Sequence, residues 1–456
     1  MKKIVVFLLL TSALVQGQYK ISGTLSPSKD FKNAYLYKIE GTNQLYLRNV
    51  AVKKDTLQRN AQQVIVDSFE FLFNDNDTPG YYRIAYDLQK GGFVDFLFNK
   101  EDIVFSIDLS LPRPFVEFQK SKENRLYTDY LKTISVAQSK TDSIQALYLN
   151  MPTGTSARAY KTSVASVKKI QEDYSQKATG FLIAHFIKAA ARYNAPKVIK
   201  TVQEHQDNIR THFFDYIDFT NPHLFNSSFL ISSINDYVFY VNHSEDSDQQ
   251  LTLHKKAVDK VLELITNQQF KVAIIEFLMT QFSDIKYALI VDYMIARHYD
   301  QLPEALQNTE FKNKVIRELS VAIGRTAPDF SWEENGKTVT LSELNEANHY
   351  ILVFYSTECS HCMKEIPQLF TFMKDKTHVK VIAFAMETTQ TKWDKFKTSL
   401  PGWRHALGLG KWHNKVAAIY QVVATPSYFV LDTDKQIIGA PIPLNHLKNI
   451  ISGLKK

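Results

Sequence analysis

The two cysteines of the chain, Cys359 and Cys362, lie where an apolar run meets a helix-like stretch. Residues 350–355 have the composition of a buried β-strand, and residues 363–370 favour a helix. A strand that turns abruptly into a helix aims backbone N–H groups and the positive end of the helix dipole at the first helical residues. A thiol at that place is acidified toward the thiolate, which attacks disulfides, and a second thiol one turn further on can close a disulfide with it.

Three other chemistries fit the cysteine pair less well. Zinc needs four ligands, and the chain offers only these two thiolates, so two histidines would have to converge from elsewhere. Covalent haem attachment needs a histidine directly after the second cysteine, where this chain has Met363. A peroxide-reducing cysteine normally lacks a partner at this short spacing. Dithiol–disulfide exchange needs only the features present, so the sequence predicts a redox-active pair with no metal and no cofactor.

The first 17 residues have the pattern of an export signal. Lys2 and Lys3 precede a mostly apolar stretch, residues 4–15. This stretch is well short of the ~20 residues that a membrane-spanning helix needs. We therefore expect residues 1–17 to be removed and the protein to be exported to the periplasm or the cell envelope. Two cysteines also exclude a framework of structural disulfides.

The rest of the chain is predicted to be multidomain, with three regions of different pattern. In residues 18–112, short alternating and aromatic runs separated by turn signals predict an antiparallel β domain, either a sandwich or a barrel-like sheet. In residues 118–320, apolar residues return at helical spacing, for example at Val258 and Val261, and predict an α-helical region. In residues 323–456, strands alternate with helices, which predicts an α/β domain with a mixed sheet covered on both faces.

The formal net charge of the chain is +7, but basic and acidic residues are interspersed and form no basic stripe. Nucleic acid is therefore not an expected partner. The β-rich and helical regions show no cluster of catalytic residue types. We expect them to position partners or to form an oligomer.

The C-terminal region resembles the thioredoxin superfamily. The resemblance rests on residues 354–367 (FYSTECSHCMKEIP) and residues 424–432 (ATPSYFVLD). The upstream residues 327–330 (APDF) and the spacing of Cys362, Glu365 and Pro367 narrow the resemblance to the exported TlpA/ResA-like group. The N-terminal β region resembles an uncharacterised β-rich domain that is often fused ahead of such modules.

This resemblance implies a role for each member of the site. Cys359 is the expected nucleophile and Cys362 the resolving cysteine. Thr425 and Pro426 match the loop in which a cis-proline faces the pair. The Thr425 backbone is expected to pair with an extended substrate segment, as an added strand would.

Three charged or titratable residues lie near the pair: Glu365 is expected to be a catalytic residue, and His361 and Glu358 are expected to tune the redox properties. Glu365 lies on the same helix face as Cys362, and in the resembling group a glutamate here influences proton transfer. His361, between the cysteines, can stabilise the thiolate electrostatically. The alternative for both is an ordinary solvated side chain. Glu358 stands where the superfamily often has tryptophan, and its negative charge opposes formation of the thiolate. Val353 stands where many relatives have a buried acidic residue.

The sequence thus predicts an exported thiol–disulfide oxidoreductase that acts on protein substrates and has a membrane or periplasmic redox partner. The direction of exchange stays open, because His361 favours an oxidant or isomerase while Glu358 and the resemblance favour a reductase. The alternative is a non-catalytic peptide-binding or scaffold protein with a thioredoxin-like module. The long N-terminal part without visible chemistry motivates this alternative.

Overall fold

The computed structural model describes residues 18–59, 62–112 and 114–454. The predicted export signal, residues 1–17, lies outside the described residues. The chain forms two compact units, Met1–Ala273 and Ile274–Lys456.

The first unit begins with strands in two sheets. The strands are β1 (Gln18–Ser26), β2 (Asn33–Glu40), β3 (Asn43–Ala51), β4 (Lys53–Arg59), β5 (Gln62–Asn74), β6 (Gly80–Asp87), β7 (Gly92–Phe98), β8 (Ile103–Asp108) and β9 (Val116–Lys120). The strand order is β4-β5-β1-β8-β9 in one sheet and β3-β2-β6-β7 in the other. Inward-facing residues of both sheets share one core that is rich in phenylalanine.

The predicted β domain is confirmed, with one difference in strand direction. The neighbouring strands described here pair antiparallel, except that β1 and β8 are parallel. A parallel pair needs a long connection. Here the connection includes all of the second sheet, which a pattern of local strands and turns does not reveal.

Helices follow the strands, as predicted. They are α1 (Lys122–Asn150), α2 (Gly154–Lys177), α3 (Ala184–Ala189), α4 (Val202–His212), α5 (Pro222–Phe225), α6 (Ser228–Asn235), α7 (Ser247–Leu264) and α8 (Gln268–Asp284), with a π-helical segment at Asp236–Val241. The boundary between the two compact units falls within α8.

The second unit continues with helices and then alternates strands with helices. Its elements are α9 (Ala288–Met294), α10 (Thr309–Glu318), β10 (Ser331–Glu334), β11 (Lys337–Thr340), β12 (His349–Tyr355), α11 (Ser360–Met373), β13 (Val379–Glu387), α12 (Thr391–Lys397), β14 (Arg404–Leu409), α13 (Lys415–Ile419), β15 (Ser427–Leu431), β16 (Ile437–Gly439) and α14 (Leu444–Gly453). A π-helical segment follows α9 at Ile295–Tyr299, and short 3-10 turns lie at Glu304–Leu306, Leu341–Glu343 and Lys411–His413.

The central sheet of this unit has the order β14-β13-β12-β15-β16. β12 is parallel to β13 and antiparallel to β15. Six of its seven residues are buried, as expected for a strand covered on both faces. Residues of α11, α12 and α14 pack on one face, and residues of α13 and the β10–β11 hairpin pack on the other. The predicted α/β domain with a mixed, two-sided sheet is therefore confirmed.

The last helices before the α/β domain belong to the same compact unit. Asp292 of α9 forms an ion pair with Arg325 at 2.6 Å, and the carbonyl of Arg317 in α10 accepts a hydrogen bond from Gln421. The second compact unit therefore begins upstream of the α/β domain, at Ile274. Among the described helices, none combines the length and the apolar composition that a bilayer crossing requires.

Candidate active site

The first thiol occupies the capping position of helix α11. β12 ends at Tyr355, residues 356–358 turn, and Cys359 is the N-cap of α11. Its Sγ accepts a hydrogen bond from the backbone N–H of Cys362 at 3.2 Å. At an ordinary N-cap a serine or aspartate oxygen accepts this bond. The sulfur therefore lies at the positive end of the helix dipole, which favours its anionic form.

Burial distinguishes the two thiols. Cys359 is partly exposed, whereas Cys362 is fully buried in the core beneath α11. Burial first, and then the hydrogen bond with Cys359, raise the pKa of the Cys362 thiol to about 12. The buried sulfur therefore keeps its proton at neutral pH.

The pKa of Cys359 moves in the opposite direction. Partial burial acts to raise it, but hydrogen bonds from the Cys362 thiol, the Thr425 side chain and nearby backbone N–H groups outweigh burial, and the pKa is lowered. Two of those backbone groups belong to Cys362 and His361, in the first turn of α11. The accessible sulfur thus ionises more readily than the buried one, as an attacking and a resolving thiol require.

The loop before β15 faces the dithiol. The peptide bond between Thr425 and Pro426 is cis, the isomer expected from the sequence. The Thr425 carbonyl O lies 3.3 Å from Cys359 Sγ and accepts a hydrogen bond from the protonated thiol. Because β15 pairs directly with β12, the sheet brings this loop to the start of α11. Thr425 is partly exposed at this position beside Cys359.

Glu358 is exposed next to Cys359, and its negative charge is compensated by neighbouring lysines. Its carboxylate forms ion pairs with Lys411 and, at 3.6 Å, with Lys392. The hydrogen bond and charge of Lys411 are the main cause of the lowered pKa of the Glu358 carboxyl. Glu358 is therefore ionised, and two lysine ammonium groups flank it. Their positive charges offset the repulsion of the Cys359 thiolate by the Glu358 carboxylate that the sequence alone predicted.

Glu365 lies half-buried on α11 and accepts a hydrogen bond from the Tyr428 hydroxyl at 2.9 Å. Tyr428 is buried, and burial first, then the Glu365 carboxylate and both cysteine sulfurs, raise its pKa. Glu365 is thus not an ordinary solvated helix residue. It is linked to the dithiol through a buried hydroxyl group.

His361 and Val353 contribute in other ways. The imidazole of His361 is exposed on the outer side of α11, and the contact of this residue with Cys359 comes from its backbone N–H. Any residue type other than proline provides that group. Val353 is fully buried in the core that also contains Cys362.

Several residues of the site were missed by sequence reasoning. Lys392 and Lys411 are far along the chain from Glu358, and no local pattern marks them. Tyr428 lies in the segment 424–432 that carries the resemblance, but the sequence indicated no functional role for it. Glu387 ends the apolar strand β13, is 2% exposed, and accepts a hydrogen bond from the Thr357 backbone N–H at 2.6 Å. The sequence offered one signal for Glu387, namely a carboxylate at the end of an apolar run.

No group of three or more His, Cys, Asp or Glu side chains within the described residues could hold a metal ion. Zinc, one of the competing interpretations of the cysteine pair, therefore finds no ligand set in this part of the chain.

A strand–CxxC–helix junction opposite a cis-proline loop, in a mixed sheet covered on both faces, defines a thioredoxin-like domain. Residues 323–440 match the AhpC/TSA family. The match covers the C-terminal region of the chain and agrees with the thioredoxin-like resemblance expected from the sequence. The comparison with curated proteins gave no match.

Three solved bacterial structures are similar to parts of this chain. A thioredoxin-like protein from Bacteroides caccae is 15% identical, with 57% of this chain and 97% of that chain covered and a TM-score of 0.40. A domain of a possible thiol-disulfide isomerase from Cytophaga hutchinsonii is 28% identical in sequence. The similarity covers 28% of this chain and 90% of that chain, with a TM-score of 0.26. The thioredoxin domain of a thiol-disulfide oxidoreductase from Bacteroides vulgatus is 22% identical in sequence. The similarity covers 29% of this chain and 97% of that chain, with a TM-score of 0.26.

The hydrogen bonds around Cys359 predict its titration. In the reduced protein, alkylation by iodoacetamide should follow a midpoint below the ~8.5 of a free cysteine, and the label should be found on Cys359 and not on Cys362. In a Cys362→Ser variant the midpoint should change, because the thiol that donates to Cys359 is replaced by a shorter hydroxyl. Mass spectrometry after timed labelling across a pH series measures both. A midpoint at or above that of a free thiol would contradict the assignment.

Proposed function

We propose that the protein is a thiol–disulfide oxidoreductase that exchanges the Cys359–Cys362 dithiol or disulfide with protein substrates. The single observation that carries this proposal is the difference between the two sulfurs. One is partly exposed with a lowered pKa, and the other is buried with its pKa raised to about 12. A non-catalytic binding module needs no such difference, so the asymmetry supports exchange over a scaffold role.

In the reductive direction the Cys359 thiolate attacks a substrate disulfide and forms a mixed disulfide. Cys362 then attacks Cys359 Sγ, and the substrate leaves as a thiol. The Thr425 backbone holds the extended substrate segment beside Cys359 by strand-like hydrogen bonds. Glu365, hydrogen-bonded to Tyr428, handles protons on the side of the dithiol that faces β15.

Replacing each cysteine with serine should separate the two steps. Cys359→Ser should abolish reduction of a model peptide disulfide, because the attacking sulfur is gone. Cys362→Ser should keep the attack and accumulate mixed disulfides, which non-reducing electrophoresis and mass spectrometry detect. Undiminished turnover by the Cys359→Ser variant would refute the proposal.

Reduction is the direction we propose, in line with the resemblance stated above. Equilibration of the protein with glutathione buffers should then give a potential near that of thioredoxin, about −270 mV. A potential near that of the strong periplasmic oxidant, about −120 mV, would reverse the direction. That outcome would leave the roles of the two cysteines unchanged.

We also propose that the protein works outside the cytoplasm, in the periplasm or cell envelope, with a redox partner there that renews the dithiol. The support is the pattern of residues 1–17, in which Lys2 and Lys3 precede an apolar stretch. The β-rich and helical regions would position that partner or a second copy of the chain. Mass spectrometry of the protein from a cell-envelope fraction should find an N-terminus close to Gln18; an intact Met1 in the cytoplasmic fraction would contradict export.

A further inference from the structure

Two lysine side chains converge on the residue that precedes Cys359. The Lys411 ammonium contacts one oxygen of the Glu358 carboxylate, and the Lys392 ammonium lies 3.6 Å from the other oxygen. Lys392 belongs to the first turn of α12, and Lys411 begins the short turn after β14. In the part of the chain that the structure describes, neither lysine pairs with a second carboxylate. The surface beside the accessible sulfur therefore has positive charge in excess, with two ammonium groups and one carboxylate.

The turn that carries Lys411 is anchored on β13. Gly410 and Lys411 both have left-handed backbone, with φ of 91° and 50°. This conformation costs glycine little but strains a lysine, so the surrounding structure must hold it. The backbone N–H of Gly410 donates to the carbonyl O of Glu387 at 3.0 Å, and the Glu387 carboxylate accepts the N–H of Thr357 at 2.6 Å. One residue of β13 thus holds both the turn with Lys411 and the turn that leads to Cys359.

The two ion pairs are open to exchange because all three side chains reach solvent. The exposed fraction of the side chain is 38% for Glu358, 33% for Lys411 and 68% for Lys392. Ion pairs between solvent-exposed groups contribute little to stability, and each ammonium group has three N–H donors. A carboxylate of another molecule can therefore bind these lysines without breaking a buried ion pair.

The loop at Thr425 is open to solvent as well. The Thr425 carbonyl O lies 3.3 Å from Cys359 Sγ, and Val423, two residues before Thr425, is 91% exposed. The accessible sulfur is thus bordered both by an uncovered loop and by the two lysines. A polypeptide segment that presents a disulfide to Cys359 passes close to their positive charges.

Other charged side chains of the neighbouring helices do not reverse this balance. On α11, Lys364 is exposed, and Glu365 is half-buried with a hydrogen bond from Tyr428. On α12, Asp394 pairs with Lys397 at 2.7 Å. The charge that an arriving substrate meets next to Cys359 is therefore set by Glu358 and its two lysines.

We propose that Lys392 and Lys411 are specificity-determining residues that select protein substrates with an acidic residue beside the reacting disulfide. This inference rests on the proposed function and names its substrate class. The argument is charge complementarity, since a surface with excess positive charge attracts an acidic segment and slows the approach of a basic one. Glu358 competes with the substrate for the same two ammonium groups.

The selected step is the attack by Cys359. Its thiolate attacks one sulfur of the substrate disulfide, the S–S bond of the substrate breaks, and a mixed disulfide forms. The electron pair leaves on the second substrate sulfur, which takes a proton from solvent. The lysines take no part in these bonds. They raise the rate at which an acidic segment arrives and is held beside the sulfur.

The experiment measures this attack alone, in the full chain with Cys362 replaced by serine. In the Cys362→Ser protein the reaction stops at the mixed disulfide, whose formation is followed by acid quenching and mass spectrometry. The probes are three disulfide-linked peptide dimers that differ only in whether glutamate, glutamine or lysine flanks the cysteine. Their intrinsic reactivity is calibrated with an uncharged thiol, 2-mercaptoethanol.

After this calibration the glutamate peptide should react about tenfold faster than the lysine peptide at low salt. The ratio should fall toward one in about 0.5 M salt, because salt screens exposed charges. Adding Lys392→Gln and Lys411→Gln together should abolish most of the preference. Adding Glu358→Gln should instead raise the ratio about threefold, because the competing carboxylate is gone. Each ratio compares two peptides on one protein, so a change in the pKa of the Cys359 thiol cancels.

Lys374→Gln is the matched control. Lys374 is exposed at the C-terminal end of α11, about 20 Å along the helix from Cys359. The substitution removes the same charge from the chain but not from the surface beside the sulfur. It should leave the ratio between the two peptides unchanged.

Three results would overturn the inference. The first is equal rates for the three peptides, or a faster lysine peptide, in the Cys362→Ser protein. The second is a preference for glutamate that persists without Lys392 and Lys411, or that Glu358→Gln lowers. The third is an equal loss of preference in Lys374→Gln, which would assign the effect to the net charge of the whole chain. A Cys362→Ser protein that forms no mixed disulfide with any peptide would instead refute the proposed function itself.

Discussion

The proposed chemistry of this protein depends on one hydrogen bond, in which the sulfur of Cys359 accepts the backbone N–H of Cys362 as the cap of helix α11. This single contact places the sulfur at the positive end of the helix and sets the distance between the two cysteines. It also puts the second cysteine inside the first turn, where the core covers it. The accessible thiol and the buried thiol are thus two consequences of how one helix begins.

The surroundings of the pair extend this asymmetry. Carboxylates lie around the dithiol at three depths: Glu358 at the surface, Glu365 half-buried and Glu387 buried. The surface carboxylate is balanced by Lys392 and Lys411. Of the two inner carboxylates, Glu365 accepts a hydrogen bond from the Tyr428 hydroxyl and Glu387 accepts one from the Thr357 backbone N–H. The depth of each carboxylate therefore decides whether lysine ammonium groups or groups of the protein interior surround it.

Much of this architecture was predictable because its signals are local. The run 350–355 is apolar throughout because β12 is buried on both faces, and the cysteine spacing matches one helical turn. The cis-proline loop was predictable from its resemblance to known relatives. The parallel pairing of β1 with β8 was not, because it joins strands separated by a whole sheet. The packing of α9 and α10 with the C-terminal domain could not be predicted either, because its contacts also join residues that are far apart in the sequence.

The sequence by itself determined the class of the C-terminal domain, the position of the cysteine pair and the alternation of strands and helices, through its resemblance to known relatives, its residue spacing and its apolar pattern. Only the tertiary structure decided which charges surround the sulfurs. Lys411 reaches Glu358, Tyr428 reaches Glu365, and Thr357 reaches Glu387 across separate strands and turns. The physical reason is that pKa values depend on burial and on neighbours in space, and the folded sheet sets both.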